Sequence, residues 1–320
     1  MPTLAVVVCA YNVQGYLDAS LAALAGQSRP ADQIVVVDDA STDATLEVIE
    51  RWRAPLNLEV VRQPRNAGSG YTRRSGLEQV RTDLATFLDA DDYCLPDHLA
   101  VLLDGYRDES DLVTARYLRW VAGQALSTTP RPTDIPPPEQ QMHAILRRNF
   151  LTIFTLFPIG RYREVGGYRS LRRAEDWDLW VRLLRAGSRV RLTPTPTVFY
   201  RMRADSISED NACLADDIRV LENALAAGVD TERPALQSAL RRRRAKLTLI
   251  DSFAAARAGK VGRARARSLR ALVTDRSLRG GLTGPDGSVA LQAFACLTAP
   301  RYAVRRRDAR RRNPADLVSQ

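Results

Sequence analysis

Residues 4–10, LAVVVCA, form an unbroken apolar run, the pattern of a strand covered on both faces. Leu17, Leu21 and Leu24 follow at helical spacing and predict a helix over 16–25. The next apolar run, Ile34–Val37, ends on Asp38-Asp39. Ser41 is the expected cap of a helix over 42–53, with Asp43 placed in its first turn to favour the helix dipole. A strand over 58–62, a turn at 66–70, a helix over 70–80 and a strand over 84–88 complete the first 90 residues. Strands alternating with helices in this way predict a mostly parallel, Rossmann-like α/β sheet flanked by helices. Ligands in such sheets bind beyond the carboxyl ends of the strands. Tyr11-Asn12, Asp38-Asp39 and the 89–92 cluster each follow a strand end, so the fold would gather them at one crevice.

Further along, residues 127–138 hold five prolines and read as a loop joining two halves of the domain. A helix over 139–148, an apolar stretch at 150–158, a Gly166-Gly167 turn and a helix over 175–186 follow. Strand signals stand at 190–192 and 197–200. From about 211 the pattern is helical and rich in Ala, Leu and Arg, which predicts a catalytic domain over 1–210 and a basic, mainly helical region over 211–320 with a flexible Arg-rich tail.

Charge sharpens that division. Residues 1–210 carry 25 Lys+Arg against 27 Asp+Glu, and residues 211–320 carry 22 against 10, so the net charge of +10 belongs to the C-terminal third. At 45% hydrophobic and 26% charged the chain is an ordinary globular one. Cys9, Cys94, Cys213 and Cys296 are scattered, in no disulfide or zinc spacing, and a reducing cytosol is the expected compartment. No apolar run approaches the roughly 18–20 residues of a membrane span, and no secretory signal is visible at the N-terminus.

The sequence Asp89-Ala90-Asp91-Asp92 carries the chemistry. Three carboxylates in four residues repel one another unless a cation sits between them, and hard oxygen ligands of this kind suit Mg²⁺ or Mn²⁺ bridging to a phosphate. The competing explanation is a solvated helix cap, and the preceding buried strand favours the site. Asp38-Asp39 is open to the same two readings: one carboxylate on a base or ribose, the other capping.

Taken in order, Ala10-Tyr11-Asn12, the VVVDDASTD segment at 35–43, Asn66-x-Gly68 with Arg73, FLDADD at 87–92 and Glu175-Asp176-Trp177 resemble the family 2 glycosyltransferases, inverting enzymes of GT-A fold. The resemblance runs from about residue 3 to 208. It implies a nucleotide-sugar donor, a UDP-sugar foremost, with Ala10, Tyr11, Asn12, Asp38, Asp39, Asn66, Gly68, Arg73 and Asp89 on the nucleotide side. Tyr11 and Asn12 would hold the base, Asp39 would accept from it, and Arg73 would lie near the base and diphosphate. Asp91 would be the main metal ligand, with Asp89 and Asp92 beside it in a DXD-type motif, and Asp176 would be the general base, positioned by Glu175. An alcohol is a poor nucleophile until its proton is removed, and a carboxylate opposite the leaving diphosphate gives inversion.

Two positions depart from the family pattern. Arg203 stands where many members carry a metal-binding histidine; a guanidinium binds phosphate oxygens rather than cations, so Arg203 is expected on the diphosphate. Arg74 stands where asparagine is common. The acceptor, a glycan, lipid-linked or other hydroxyl of cell-envelope or glycoconjugate synthesis, is expected against residues 150–175, with Arg161, Arg163, Arg169, Arg172 and Arg173 at the rim. The apolar stretch 289–299 and the seven arginines of 301–312 allow peripheral contact with an anionic membrane at its inner face, against a solvated or oligomer-forming face; no specific nucleic acid is expected. The alternatives are a sugar nucleotidyltransferase, which would want a glycine-rich basic loop where Cys9–Gly15 stands, and a non-catalytic nucleotide-sugar-binding or scaffold protein.

Overall fold

The computed structural model describes residues 1–121, 124–129, 135–169, 171, 173–202 and 213–274. The chain divides into two compact units, Met1–Glu209 and Asp210–Gln320.

In the first unit, β1 (Leu4–Ala10), β2 (Gln33–Asp38), β3 (Glu59–Arg62) and β4 (Leu84–Asp89) alternate with α1 (Leu17–Ala25), α2 (Thr45–Arg53) and α3 (Ser69–Glu78). These four strands are parallel, in the order β3-β2-β1-β4. The apolar runs that predict them are buried, Leu4–Val8 and Val35–Val37 almost completely, as a sheet covered on both faces requires. On one face α3 lies so close that a Cβ on Gly76 would stand 2.4 Å from Val7 Cγ1 and 3.1 Å from Val37 Cγ2.

Beyond β4 the sheet turns mixed. After β5 (Tyr93–Cys94) and α4 (His98–Gly105) come β6 (Asp111–Val121), β7 (Gln124–Thr129), α5 (Pro138–Arg147), β8 (Thr155–Pro158), α6 (Ile159–Glu164), α7 (Glu175–Arg185) and β9 (Arg189–Arg201). β8 runs antiparallel to both β4 and β6, β6 pairs parallel with β9, and β9 pairs antiparallel with β5. The sheet continues β4-β8-β6-β9-β5, with β7 on β6. This is the α/β architecture expected, with its run of parallel strands confined to the first four and one further parallel pair, β6 with β9; an apolar run marks a strand without giving its direction.

Three local expectations change. Residues 127–129, read as loop, end β7 through pairs with β6 at Tyr117–Arg119. The signals at 190–192 and 197–200 belong to one strand, whose register on β6 shifts between Thr114 and Tyr117. Ser41 does not cap α2: its Oγ accepts the Asn12 N–H at 3.1 Å, while Gln14 Oε1 and Asp43 Oδ1 take the N–H groups of Ala44 and Thr45.

The second unit is helical over its described residues: α8 (Cys213–Ala226), a 3-10 turn at Asp230–Glu232, α9 (Arg233–Arg257) and α10 (Val261–Thr274). α9 packs on both α8 and α10. Its apolar interior is Leu, Val and Ala with Phe253, and Ser252 Oγ and Ser268 Oγ lie 2.7 Å apart where α9 meets α10. Among the described residues no helix is long and apolar enough to cross a membrane.

Candidate active site

Sheet register brings three strand ends together. Ala10 lies beside Asp38, and Cys9 lies between Val37 on one side and Asp89 on the other. The turns leaving β1 and β2 carry left-handed backbone at Asn12 (φ 51°) and Ala40 (φ 60°), and Ala174 (φ 56°) does the same at the start of α7. Such conformations cost free energy and collect at functional sites.

Each predicted residue has a definite place around this edge. Tyr11 is 45% exposed at the end of β1. Asn12 braces the neighbouring loop, its Oδ1 accepting the Thr42 N–H at 2.8 Å. Asp38 is fully buried and accepts the Ser41 N–H at 3.1 Å. Asp39 receives the N–H groups of Ala67 and Gly68 at 2.9 and 3.0 Å, so its two oxygens hold the loop ahead of α3. Asn66 is exposed beside that loop.

Arg73, on α3, is a hub. Its Nη2 donates to Asp89 Oδ1 at 3.0 Å, its Nη1 donates to Glu175 Oε1, and its guanidinium lies 5.8 Å from the Phe87 ring centroid. The Glu175 side chain is 3% exposed and also accepts from Ser69 Oγ at 2.9 Å. Asp176, the next residue, is half-buried; its Oδ2 accepts from Asn149 Nδ2 at 3.0 Å. Burial, reinforced by the neighbouring Glu175 charge, pushes the Asp176 carboxyl up to about 6 against the opposing pull of Arg73. A carboxylate with that pKa is suited to accept a proton near neutral pH.

Two of the three aspartates expected to gather round a cation are engaged by different partners. Asp89 faces Arg73. Asp92 is 3% exposed and takes the Arg201 N–H on Oδ1 at 2.8 Å, while its Oδ2 is buried with no hydrogen-bond partner among the described residues. Burial, then the charges of Asp89 and Asp91, holds Asp92 well above the usual carboxylate range. Asp91 is half-buried between them. Among the described residues no three His, Cys, Asp or Glu side chains form a ready cage for a metal. The donor set still fits Mg²⁺ or Mn²⁺, which bind through one or two carboxylates together with substrate phosphates. Arg203 lies outside the described residues.

A model of the family described as "Glycosyl transferase family 2" matches residues 5–180. The chain belongs to this family. The putative glycosyltransferase EpsH of Bacillus subtilis is 32% identical over 116 residues, which are 36% of this chain and 34% of EpsH. The poly(ribitol-phosphate) beta-N-acetylglucosaminyltransferase TarS of Staphylococcus aureus is 40% identical over 96 residues, 29% of this chain and 17% of TarS. The aligned stretch thus spans about a third and about a sixth of these relatives. In structure, residues 1–349 of TarS in complex with UDP-GlcNAc align with a TM-score of 0.64 at 19% identity over 96% of this chain and 92% of that one. The mannosyltransferase PcManGT of Pyrobaculum calidifontis, in complex with GDP-Man and Mn²⁺, aligns with a TM-score of 0.56 at 19% identity over 98% and 88%. These likenesses establish the GT-A fold.

In this family 2 chain, several residues at the site have contacts that no linear signal assigns. Asn149, just after α5, reaches Asp176 only through the tertiary fold. Arg201 closes the Asp89–Asp92 turn, its Nε donating to the Asp91 carbonyl at 2.9 Å and its guanidinium lying 4.9 Å from the Tyr16 ring centroid. Tyr168 is buried with its hydroxyl unpartnered among the described residues, under the charges of Arg73, Glu175 and Asp176. Cys9 sits near the charges of Arg73, Asp89 and Glu175, and burial pushes its thiol up to about 12. The arginine rim expected for the acceptor is largely spoken for. Arg161 binds Glu164 and the Ala186 carbonyl, Arg163 the Val80 carbonyl, and Arg169 pairs with Asp178. Arg172 lies outside the described residues.

Proposed function

We propose that the chain is an inverting glycosyltransferase, moving a sugar from a nucleoside-diphosphate sugar to an acceptor hydroxyl. The observation that carries this reading is Asp176: a half-buried carboxylate raised to about 6, oriented by Asn149 at the first turn of a rigid helix and joined through Glu175 and Arg73 to the strand-end carboxylate Asp89. Asp176 takes the proton of the acceptor hydroxyl as its oxygen attacks the anomeric carbon, and the diphosphate leaves from the opposite face. Tyr11, Asn12 and the Asp38–Asp39 edge would border the nucleotide, and Arg203, outside the described residues, would serve the diphosphate.

Asp91 with Asp89 would hold Mg²⁺ or Mn²⁺, which would neutralise the charge gathering on the leaving diphosphate. The buried Asp92 Oδ2, without a hydrogen-bond partner among the described residues, fits a turn where Asp89 and Asp91 crowd negative charge. The named TarS and PcManGT complexes support a UDP- or GDP-linked donor, and we favour UDP-sugars. The polymeric acceptor in the name of TarS supports a cell-envelope polysaccharide or glycoconjugate acceptor. Peripheral membrane contact through residues 289–312, at the cytoplasmic face, belongs to the same reading; those residues lie outside the described ones.

The test is release of nucleoside diphosphate from a panel of UDP- and GDP-sugars with Mn²⁺ or Mg²⁺, for wild type and Asp176→Asn. Turnover in the wild type and its loss in Asp176→Asn are expected. Undiminished turnover in Asp176→Asn, or none with any donor and acceptor mixture in the wild type, would sink the proposal.

A further inference from the structure

We infer that Arg73 is a positioning residue that holds the first turn of α7, and with it Asp176, in a set relation to the strand-end carboxylate Asp89. The inference rests on the glycosyltransferase reading above and departs from the resemblance, which puts Arg73 near the nucleotide base and diphosphate. Both terminal nitrogens of the guanidinium already serve carboxylates, Nη2 on Asp89 Oδ1 at 3.0 Å and Nη1 on Glu175 Oε1, and the side chain is 11% exposed. Its remaining nitrogen, Nε, is buried. The guanidinium is therefore committed to two carboxylates of this chain rather than turned to a donor.

Three contacts, all converging on Glu175, join α3 to the start of α7. Arg73 supplies the first. Ser69 Oγ, at the first residue of α3, donates to the same Glu175 oxygen at 2.9 Å. Gly70 supplies the third by having no side chain: a Cβ there would meet the Leu171 carbonyl at 2.6 Å and Glu175 Cγ at 3.0 Å. The next link is covalent. Glu175 and Asp176 are adjacent, and Ala174 before them is in left-handed backbone, so a shift of Glu175 is transmitted to Asp176. The planar fork offers two terminal nitrogens at a fixed spacing, one for each carboxylate; a lysine ammonium presents its three donors from a single atom on a flexible stem and does not reproduce that geometry.

Four variants test this: Arg73→Lys, Arg73→Gln, Glu175→Gln and the Arg73→Gln/Glu175→Gln double. Each is measured for UDP binding with Mn²⁺ by calorimetry and for turnover of the best donor found in the panel. UDP affinity is expected to stay within about three-fold of wild type while kcat falls at least about ten-fold, the size of effect that small misplacement of a reacting group produces. The double variant should lose less than the product of the single losses, because removing the Glu175 charge relieves the carboxylate that Arg73→Gln strands. A large loss of UDP affinity with kcat retained would overturn the inference and make Arg73 a donor ligand; strictly multiplicative losses would overturn it as well. Ser69→Ala, which removes one hydrogen bond and leaves every charge in place, decides between the two roles should the Arg73 variants fail to fold: a lower kcat at unchanged UDP affinity supports the linkage, and an unchanged kcat defeats it. Absence of UDP binding and turnover in the wild type would instead count against the enzyme reading itself.

Discussion

Asn149 and Asp176 are joined by one hydrogen bond, Nδ2 to Oδ2 at 3.0 Å, across 27 positions of sequence. The amide favours the charged form of the carboxylate and opposes the burial that raises it to about 6. With Asp176 as proposed base, kcat rises through about pH 6 as the carboxyl loses its proton. Asn149→Ala should move that acid limb upward and lower the plateau about ten-fold through misorientation. A pH–rate profile of the two proteins checks both; an unmoved limb would show that Asn149 does not act on the base.

The same carboxyl is a burden on the fold. Its native pKa of about 6 lies above the 3.8 of a free aspartate, so the folded chain binds more protons than the unfolded one between those values. Stability contributed by this group is therefore present at about pH 4 and declines as pH rises through about 6. Asp176→Asn removes the decline while abolishing transfer. Its melting temperature should match wild type near pH 4 and exceed it at pH 8.

Asp91 and Asp92 should separate on substitution. Asp92 is buried, sits above the usual carboxylate range and uses Oδ1 to accept the Arg201 N–H, a role an asparagine carbonyl also fills. Asp92→Asn is expected to keep most turnover, whereas Asp91→Asn should abolish it and weaken Mn²⁺-dependent UDP binding more than ten-fold, about 1.4 kcal/mol or more. EDTA should silence the wild type, and added Mn²⁺ should restore it.

Arg201 is the companion prediction. Arg201→Ala removes the Nε bond to the Asp91 carbonyl and the contact with Tyr16 but leaves the main-chain bond to Asp92. The turn loosens, and the Mn²⁺ concentration for half-maximal turnover should rise several-fold with little change in melting temperature. An unchanged Mn²⁺ requirement would remove Arg201 from the site.

Asp39→Ala should be costly to the fold itself. It strands the N–H groups of Ala67 and Gly68 in a partly buried loop, at about 1–3 kcal/mol for an unsatisfied group. Urea unfolding measures that loss, and UDP affinity should fall with it because the loop leads into α3.

The first four strands, α1 to α3 and the clustering of Tyr11, Asp38, Asp39 and Asp89 at one edge are legible in the chain because each rests on a local pattern. Apolar runs of strand length between helical periods force a parallel sheet, and a parallel sheet places every strand end on the same side. Residues 93–126 carried no such clear signal: β5 is two residues long, and β6 is held between β8 and β9, which come later in the chain. The cap expected at Ser41 failed for a related reason, since the helix end is satisfied by Asp43 and by Gln14, the latter thirty residues before Ala44.

Sequence alone determined that carboxylates would stand at strand ends, that Glu175 and Asp176 would open a helix, and that the basic charge would fall in the C-terminal third. Residue type and local period are enough for such statements. Only the tertiary structure decided what each charge faces. Arg73 binds Asp89 and Glu175, Asp39 grips the loop before α3, Asp92 turns to Arg201, and Asn149 orients Asp176. Those partners lie up to 109 residues apart, and electrostatic and hydrogen-bond energies depend on separations of a few ångströms, which no linear pattern encodes.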